Sequence, residues 1–287
     1  MIGERPAALS GPSTRPAWRL LQSVRLIRMA DDPFTVRAVR EACSRAGLGP
    51  GGRILDVGCG PLGALDVLSE VVGPSGLVAG LDASREALSV ARGVLKQRGR
   101  TGVALVEADV NGEPPEELLR LAPFDAAYCR LLLCNQDDPA ETVRRITRLL
   151  RPGGMLIVHE LRDDPAYPQF DPPLPAARKL LDLMTRGMAR RGKRPEIGGQ
   201  LHALARETEL RLVDLRGLME CSPTRAREFI QTNLVGMLLS FEAALLQDGL
   251  ATPDEIQALA DDLLQAAAAE YRAFASWIVT EAIFEVP

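Results

Sequence analysis

Between Arg53 and Glu160 short apolar runs alternate with stretches of helical period. The runs are RILDVG (53–58), GLVAGLD (76–82), VALVEAD (103–109), FDAAYCR (124–130) and GMLIVHE (154–160), and helices are predicted between them near 63–72, 84–98, 114–121 and 139–150. Strand followed by helix, repeated, requires right-handed crossovers and predicts an α/β fold with a mostly parallel sheet covered on both faces. The helix from 139 has the clearest start, with Asp138 as N-cap, Pro139 at its first position and Glu141 at its third, and RPGG (151–154) marks its end.

The flanks read differently. MIGERPAALSGPSTRPA is rich in Pro, Gly and Ser without an apolar period, and residues 1–16 are expected to be a disordered tail. Leu20, Leu21, Val24, Leu26 and Ile27 then recur at near-helical spacing, and Asp32 with Pro33 starts a second helix, so 17–52 is a helical N-terminal segment ahead of the 53–160 core. After Glu160 a proline-rich loop leads to a helix near 176–191, a segment with Leu201 and Leu204, a strand at 210–218, helices within 223–273 and a last strand near 277–285. WIVTEAIFEV has the β-branched and aromatic content of an edge strand. The helices before it are then an insertion between the last two strands, and 176–206 with 223–273 forms a candidate lid.

Composition changes this picture little. A chain of 287 residues with 46% hydrophobic content buries one large core, as one elaborated domain or two small ones. Its apolar stretches are broken short of the ~18 residues a membrane span needs. The N-terminus lacks a signal peptide's apolar centre, so no membrane contact and a cytoplasmic location are expected. A net charge of −4 argues against a nucleic-acid partner held by a general basic surface. Cys43, Cys59, Cys129, Cys134 and Cys221 form no C-x-x-C pair and no spacing with histidine, so no metal site or disulfide framework is expected. A monomer and a homodimer are both open.

Candidate chemistry concentrates in RILDVGCGPLG (53–63), where Gly58, Gly60 and Gly63 follow an apolar run. Such a loop holds the diphosphate of a dinucleotide or the amino-acid end of S-adenosylmethionine (SAM), and the glycine spacing does not choose between them. Charge does. A diphosphate would be repelled by Asp56, two residues before the first glycine, whereas SAM presents an ammonium and a sulfonium there. Asp82, followed by Ala83, ends the next run and is placed to accept from both ribose hydroxyls of an adenosine cofactor. Asp109 ends the third, where it can accept from an adenine amino group while the Val110 N–H meets a ring nitrogen. Each acid alone also reads as a helix cap; three on successive strands read as one ligand site.

ILDVGCGPLG, LVAGLDASREAL, LVEADV and FDAAYCRLLLCNQDDPAETVRRITRLLRPGGMLIVHE resemble the successive motifs of class I SAM-dependent methyltransferases, most of all the small-molecule group related to ubiquinone and menaquinone C-methyltransferases. The resemblance runs from about Arg53 to Glu160. It implies a Rossmann-like, mostly parallel seven-stranded sheet with SAM as cofactor. Asp56, Gly58 and Gly60 would then surround the methionine part, Asp82 the ribose, and Asp109 and Val110 the adenine, with Arg130 bordering the sulfonium through its backbone. Leu62 stands where the family often has a small residue, which would narrow the loop.

Because SAM is already an activated electrophile, the protein has to align an acceptor and exclude water, and a base is needed only for a protonated acceptor. Glu160, last in its run, is the candidate to touch that acceptor. His159 points to the opposite strand face, as a base or as a buried, satisfied histidine, and His202 is the only other histidine. DPP (171–173) reads as a loop proline pair, and the basic run at 177–194 as a solvated helix face or as a docking face for an acidic substrate or carrier protein. The acceptor is expected to be a small molecule such as a natural product or quinone-like metabolite, and with 4% aromatic residues a stacked planar acceptor is not indicated. A SAM-binding enzyme of this fold catalysing a non-methylating step such as cyclisation fits the same motifs, as does a noncatalytic SAM-binding module. A nicotinamide oxidoreductase is opposed by Asp56.

Calorimetry is expected to show binding of SAM and S-adenosylhomocysteine (SAH) with no comparable heat from NAD or NADP. Loss of hydrogen bonds to a charged acceptor should make Asp82→Ala weaken SAM by about tenfold or more; a change within twofold would overturn the ribose assignment.

Overall fold

Each of the five apolar runs becomes a strand, and a crossover helix joins each to the next. The computed structural model describes residues 16–162, 164 and 166–287, so the expected tail lies outside the described residues except for Pro16, which opens the first helix. Helices α1 (Pro16–Ala30) and α2 (Pro33–Arg45) precede β1 (Arg53–Val57), α3 (Leu65–Val72), β2 (Leu77–Asp82), α4 (Arg85–Gln97), β3 (Ala104–Glu107), α5 (Glu116–Leu121), β4 (Phe124–Arg130), α6 (Pro139–Thr147) and β5 (Leu150–Arg162). The predicted caps form: Asp32 accepts from Thr35 N and Asp138 from Glu141 N.

Beyond β5 come a short β6 (Gln169–Asp171), α7 (Pro175–Arg190), α8 (Leu201–Thr208) and β7 (Arg211–Leu218). There follow α9 (Ala226–Phe229), a π-helical turn Ile230–Val235, α10 (Gly236–Gln247), α11 (Pro253–Ala266), β8 (Ala273–Ala275) and β9 (Ile278–Glu285). Seven strands form one sheet in the order β3-β2-β1-β4-β5-β9-β7, with β9 antiparallel to both neighbours. This is the Rossmann-like fold expected of a class I methyltransferase. The β-branched content of β9 marks an inner strand rather than an edge: Ala282, Ile283 and Phe284 are fully buried, while β7, with exposed Arg211 and Arg216, is the edge.

Period two along the strands separates the two faces. Leu55, Val57, Ala127, Leu156 and Val158 pack with residues of α6 and α8. On the other face Ile54, Ala126, Tyr128 and Ile157 pack with α2, α3 and α4. A third cluster, built from α7, α9 to α11 and Phe274 of β8, makes up the candidate lid. The region expected as lid at 176–206 is therefore split: α7 joins the lid, whereas Leu201 and Leu204 of α8 lie against the sheet. β6 and β8 pair with each other, a small sheet hidden from sequence reading by the prolines around it. Among the described residues, Pro223–Gln247 is long and apolar enough to cross a membrane, contrary to the sequence expectation; here Phe229, Ile230, Leu234 and Leu238 are buried in the lid cluster.

Two charge clusters bind the N-terminal helices to the rest. Arg98 bridges Asp31 and Asp66, and Arg225 joins Asp32 at the start of α2 to Glu220 and Glu228 beside α9. Leu234→Ala should lower the free energy of urea unfolding by about 2–5 kcal/mol through the cavity it leaves. SAH affinity is expected to stay within twofold, because the lid has its own cluster; a parallel loss of affinity would show that lid and sheet share one core.

Candidate active site

β1 delivers Asp56 to the protein interior. It is 2% exposed, and its Oδ2 accepts from Ala64 N at 2.7 Å. Burial pushes its carboxyl up to about 7, against the opposing pull of the Ala64 N–H and the Arg130 charge. This bond turns the chain from the glycine loop toward α3. Gly63 is required in that turn: its φ is +53°, and a Cβ would overlap Asp56 Oδ2 and come within 2.6 Å of Cys59 O. Gly58 passes under Leu132, whereas among the described residues, its own chain neighbours aside, no atom lies within 4 Å of where a Gly60 Cβ would be, which leaves space above the loop. Leu62 is 1% exposed and packs on the α2–α3 side of the sheet, so the core absorbs it.

Asp82, at the end of β2, spans two backbone donors: Gly60 N to Oδ2 and Ser84 N to Oδ1, both at 2.8 Å. It thereby holds the glycine loop against the start of α4, with Ala83 exposed beside it. β3 stops at Glu107, two residues before Asp109, which is exposed and accepts from Asn111 N at 2.9 Å. Val110 packs against the sheet cluster. Asn111, which sequence reading did not single out, donates to Gln136 Oε1 and accepts from Thr142 Oγ1, both at 2.7 Å, tying this turn to the loop after β4.

At the ends of β4 and β5 the two candidate catalytic residues part company. β5 continues to Arg162, so Glu160 is not terminal; expected to be free for an acceptor, it is instead fully buried, and its Oε1 accepts from Leu133 N at 2.6 Å. Burial pushes it up to about 7, and Oε2 finds no hydrogen-bond partner among the described residues. It holds the 131–135 loop, in which Leu131 takes φ +53° and donates its N–H to His159 O at 2.9 Å. His159 lies on the other face, 2% exposed, with Nδ1 3.1 Å from Tyr128 OH and Nε2 2.8 Å from Glu281 Oε2. Burial holds its pKa below the ordinary value. The ring is thus neutral, donating from Nε2 to Glu281 and accepting at Nδ1 from the tyrosine. Burial also opposes ionisation of Glu281, but the hydrogen bond from His159 and the hydrogen bond and charge of Arg45 outweigh it and hold that carboxyl below the usual range. Tyr128, Glu281 and Arg45 were missed in the sequence. The available signal was an acid inside the apolar run IVTEAIFEV, since a buried charge needs a partner. His202 is exposed on α8.

Above His159 and Arg130 opens a cavity of about 820 Å³, counted out to solvent, between α1–α2, the ends of β4, β5 and β9, and the α9–π turn. Phe34, Phe229 and Trp277 line it together with Thr232 and Asn233. The chain is poor in aromatics, yet Phe229 and Trp277 of this wall belong to one group with Phe170, Tyr271 and Phe274 behind them, so overall composition understated the local aromatic content. No group of residues able to hold a metal ion occurs among the described residues.

A methyltransferase domain family matches residues 48–189. The ubiquinone biosynthesis O-methyltransferase of Pseudomonas aeruginosa is 33% identical over 190 residues, 65% of this chain and 75% of that one. The chain belongs to the class I SAM-dependent methyltransferases. SAM is accordingly the cofactor of this methyltransferase and methyl transfer its activity. An uncharacterized 37.1 kDa protein in transposon TN4556 of Streptomyces fradiae is 34% identical over 156 residues, 54% of this chain, which spans 42% of that protein's length. Among solved structures, that of the [4+2]-cyclase SpnF superposes with a TM-score of 0.53 at 19% identity, covering 97% of this chain and 99% of that one, a likeness of fold alone.

Glu160 links pH to the stability of this methyltransferase. Its folded pKa lies above the ordinary value, so its contribution is complete below the unfolded value of ~4.3 and is lost as pH rises through about 7. Glu160→Gln keeps an acceptor oxygen for Leu133 and should gain stability relative to the native protein between about pH 5 and pH 8. Urea unfolding at both pH values reads this; a difference that does not change with pH would show that Glu160 takes up no proton on folding.

Proposed function

We propose that this methyltransferase acts on a small-molecule acceptor bound in the cavity above Arg130 and His159. The observation that carries the reading is the position of Arg130, which belongs both to the cavity and to the strand end beside the glycine loop. Ligands of parallel sheets bind at that edge. The residues fit the cofactor: there is open space above Gly60, Asp82 ends β2, and Asp109 lies in the turn just after the neighbouring β3.

SAM, when bound, supplies an electrophilic methyl group. Gly58 and Gly60, shaped from beneath by Asp56, take its methionine end, and Asp82 its ribose hydroxyls. Asp109 and the Val110 N–H take the adenine, with Ala83 alongside, and the Arg130 backbone borders the sulfonium. Glu160 positions the 131–135 loop next to that site. His159, with both nitrogens engaged, forms the rigid floor on which the acceptor rests, and the lid excludes water above it. Aromatic walls at Phe34, Phe229 and Trp277 suit a quinone-like or natural-product acceptor, in keeping with the ubiquinone relative.

Incubation with SAM carrying a 13C-methyl group and a small-molecule cell extract is expected to yield SAH and one labelled small molecule in equal amounts. Label found only in protein or nucleic acid would overturn the reading, as would consumption of an extract component with no SAH formed. His159→Asn is expected to lower the midpoint of thermal unfolding while SAH affinity stays within about threefold; lost turnover in a fully folded variant would give the ring a catalytic part.

A further inference from the structure

Arg25 and Arg130 differ from the other half-buried arginines. Arg45, Arg98, Arg100, Arg144, Arg145 and Arg225 each meet at least one carboxylate, and Arg53 meets two backbone carbonyls. Among the described residues Arg25 and Arg130 form no ion pair, and the acid that feels the Arg130 charge, Asp56, lies buried on the cofactor side outside the cavity. Arg130 reaches only Met29 O, from Nη1 at 3.5 Å. Arg25 donates from Nη1 to Ser240 Oγ at 3.4 Å, and its Nε, shut off from solvent, has no acceptor. Its side chain passes Gly236 at the start of α10, where a Cβ would stand 2.9 Å from Arg25 Cγ.

The two guanidiniums sense each other: burial first, and then the Arg130 charge, bring Arg25 down to about 10. Arg28, one turn further along α1, lines the same cavity as Arg130. The acids of that cavity, Asp32, Glu220 and Glu228, are gathered on Arg225 and do not offset the other arginines locally. Unpaired charge away from water is costly, and a sulfonium beside Arg130 adds more of the same sign. An anion between them would remove both costs through charge-assisted hydrogen bonds.

We propose that Arg130, with Arg25 behind it and Arg28 nearby, forms an anion subsite for a carboxylate carried by the methyl acceptor. This rests on the reading of the cavity as the acceptor site. The cofactor's own carboxylate shares the chemistry, but Arg130 lines the cavity whereas Asp56, Gly58 and Gly60 do not, which puts the subsite on the acceptor side.

The test titrates SAH-saturated protein with 4-hydroxybenzoate and with 4-hydroxybenzamide, a neutral probe of similar shape. The acid should bind the native protein at least tenfold more tightly than the amide, and the advantage should fall below about threefold in Arg25→Gln and Arg130→Gln. Should Arg25→Gln fail to fold, the exposed Arg28→Gln carries the same test, with about a threefold loss expected. SAH and 5′-methylthioadenosine, which lacks the amino-acid part, are titrated against the same variants. If Arg25→Gln weakened SAH tenfold and left methylthioadenosine unchanged, the arginines would hold the cofactor's carboxylate and the proposal would fall. It falls equally if the native protein binds acid and amide alike, or neither. Failure of the native protein to bind SAH at all would instead refute the reading of the site on which the proposal rests.

Discussion

A single buried carboxylate locates the ends of three strands. Asp56 is almost wholly removed from water, so it needs the Ala64 N–H. Meeting that donor forces the chain back on itself through Gly58, Gly60 and Gly63. The tight turn carries the Gly60 N–H to Asp82 on β2 and leaves Gly58 under Leu132 of the loop after β4. That loop is anchored in turn by Glu160 on β5. Bonds from backbone N–H to carboxylate thus connect β1, β2, β4 and β5 at the edge proposed to take the cofactor. Such bonds are stronger and more directional than neutral ones, which suits a site that must be in place before its ligand arrives.

β5 shows how one strand serves two tasks. Glu160 faces the loop after β4, and its neighbour His159 faces the cavity, where Tyr128, Glu281 and Arg45 complete a buried polar chain across β4, β9 and α2. A satisfied network of this kind stiffens its surroundings. The cavity therefore has a firm floor made by the sheet and a separately packed roof made by the lid, with the Arg225 ion pairs joining roof to N-terminal helices.

Where local chemistry decides conformation, the sequence was readable. The caps at Asp32 and Asp138, the glycine loop and the five parallel strands needed only residues close together in the chain. Long-range packing was less legible. β-branched residues in β9 record burial on both faces, a condition shared by inner strands and resembled by some edges, so its place in the sheet could not be read from composition. Glu160 looked terminal because the apolar period ends there, yet the sheet continues on backbone pairing with Val279 and Ile278 through Leu161 and Arg162. The partner of His159 stands far along the chain at Glu281, and no local pattern joins them. Aromatic content averaged over the chain concealed a group assembled from β6, α9 and the segment around β8.

The place of β9 sets the order in which the molecule can be built. β5 emerges early in synthesis with one edge open, and β7 follows with no neighbour; both wait for a strand made only after the whole lid. Pairings so distant in the chain form slowly, and open edges invite association with other chains meanwhile. During that interval the apolar stretch Pro223–Gln247 is also without its later companions, Phe274 of β8 and Trp277 just before β9. Lesions in β9 are therefore expected to be felt first in the yield of folded protein from the ribosome, as substrates for chaperones and proteases, before any effect on catalysis is seen.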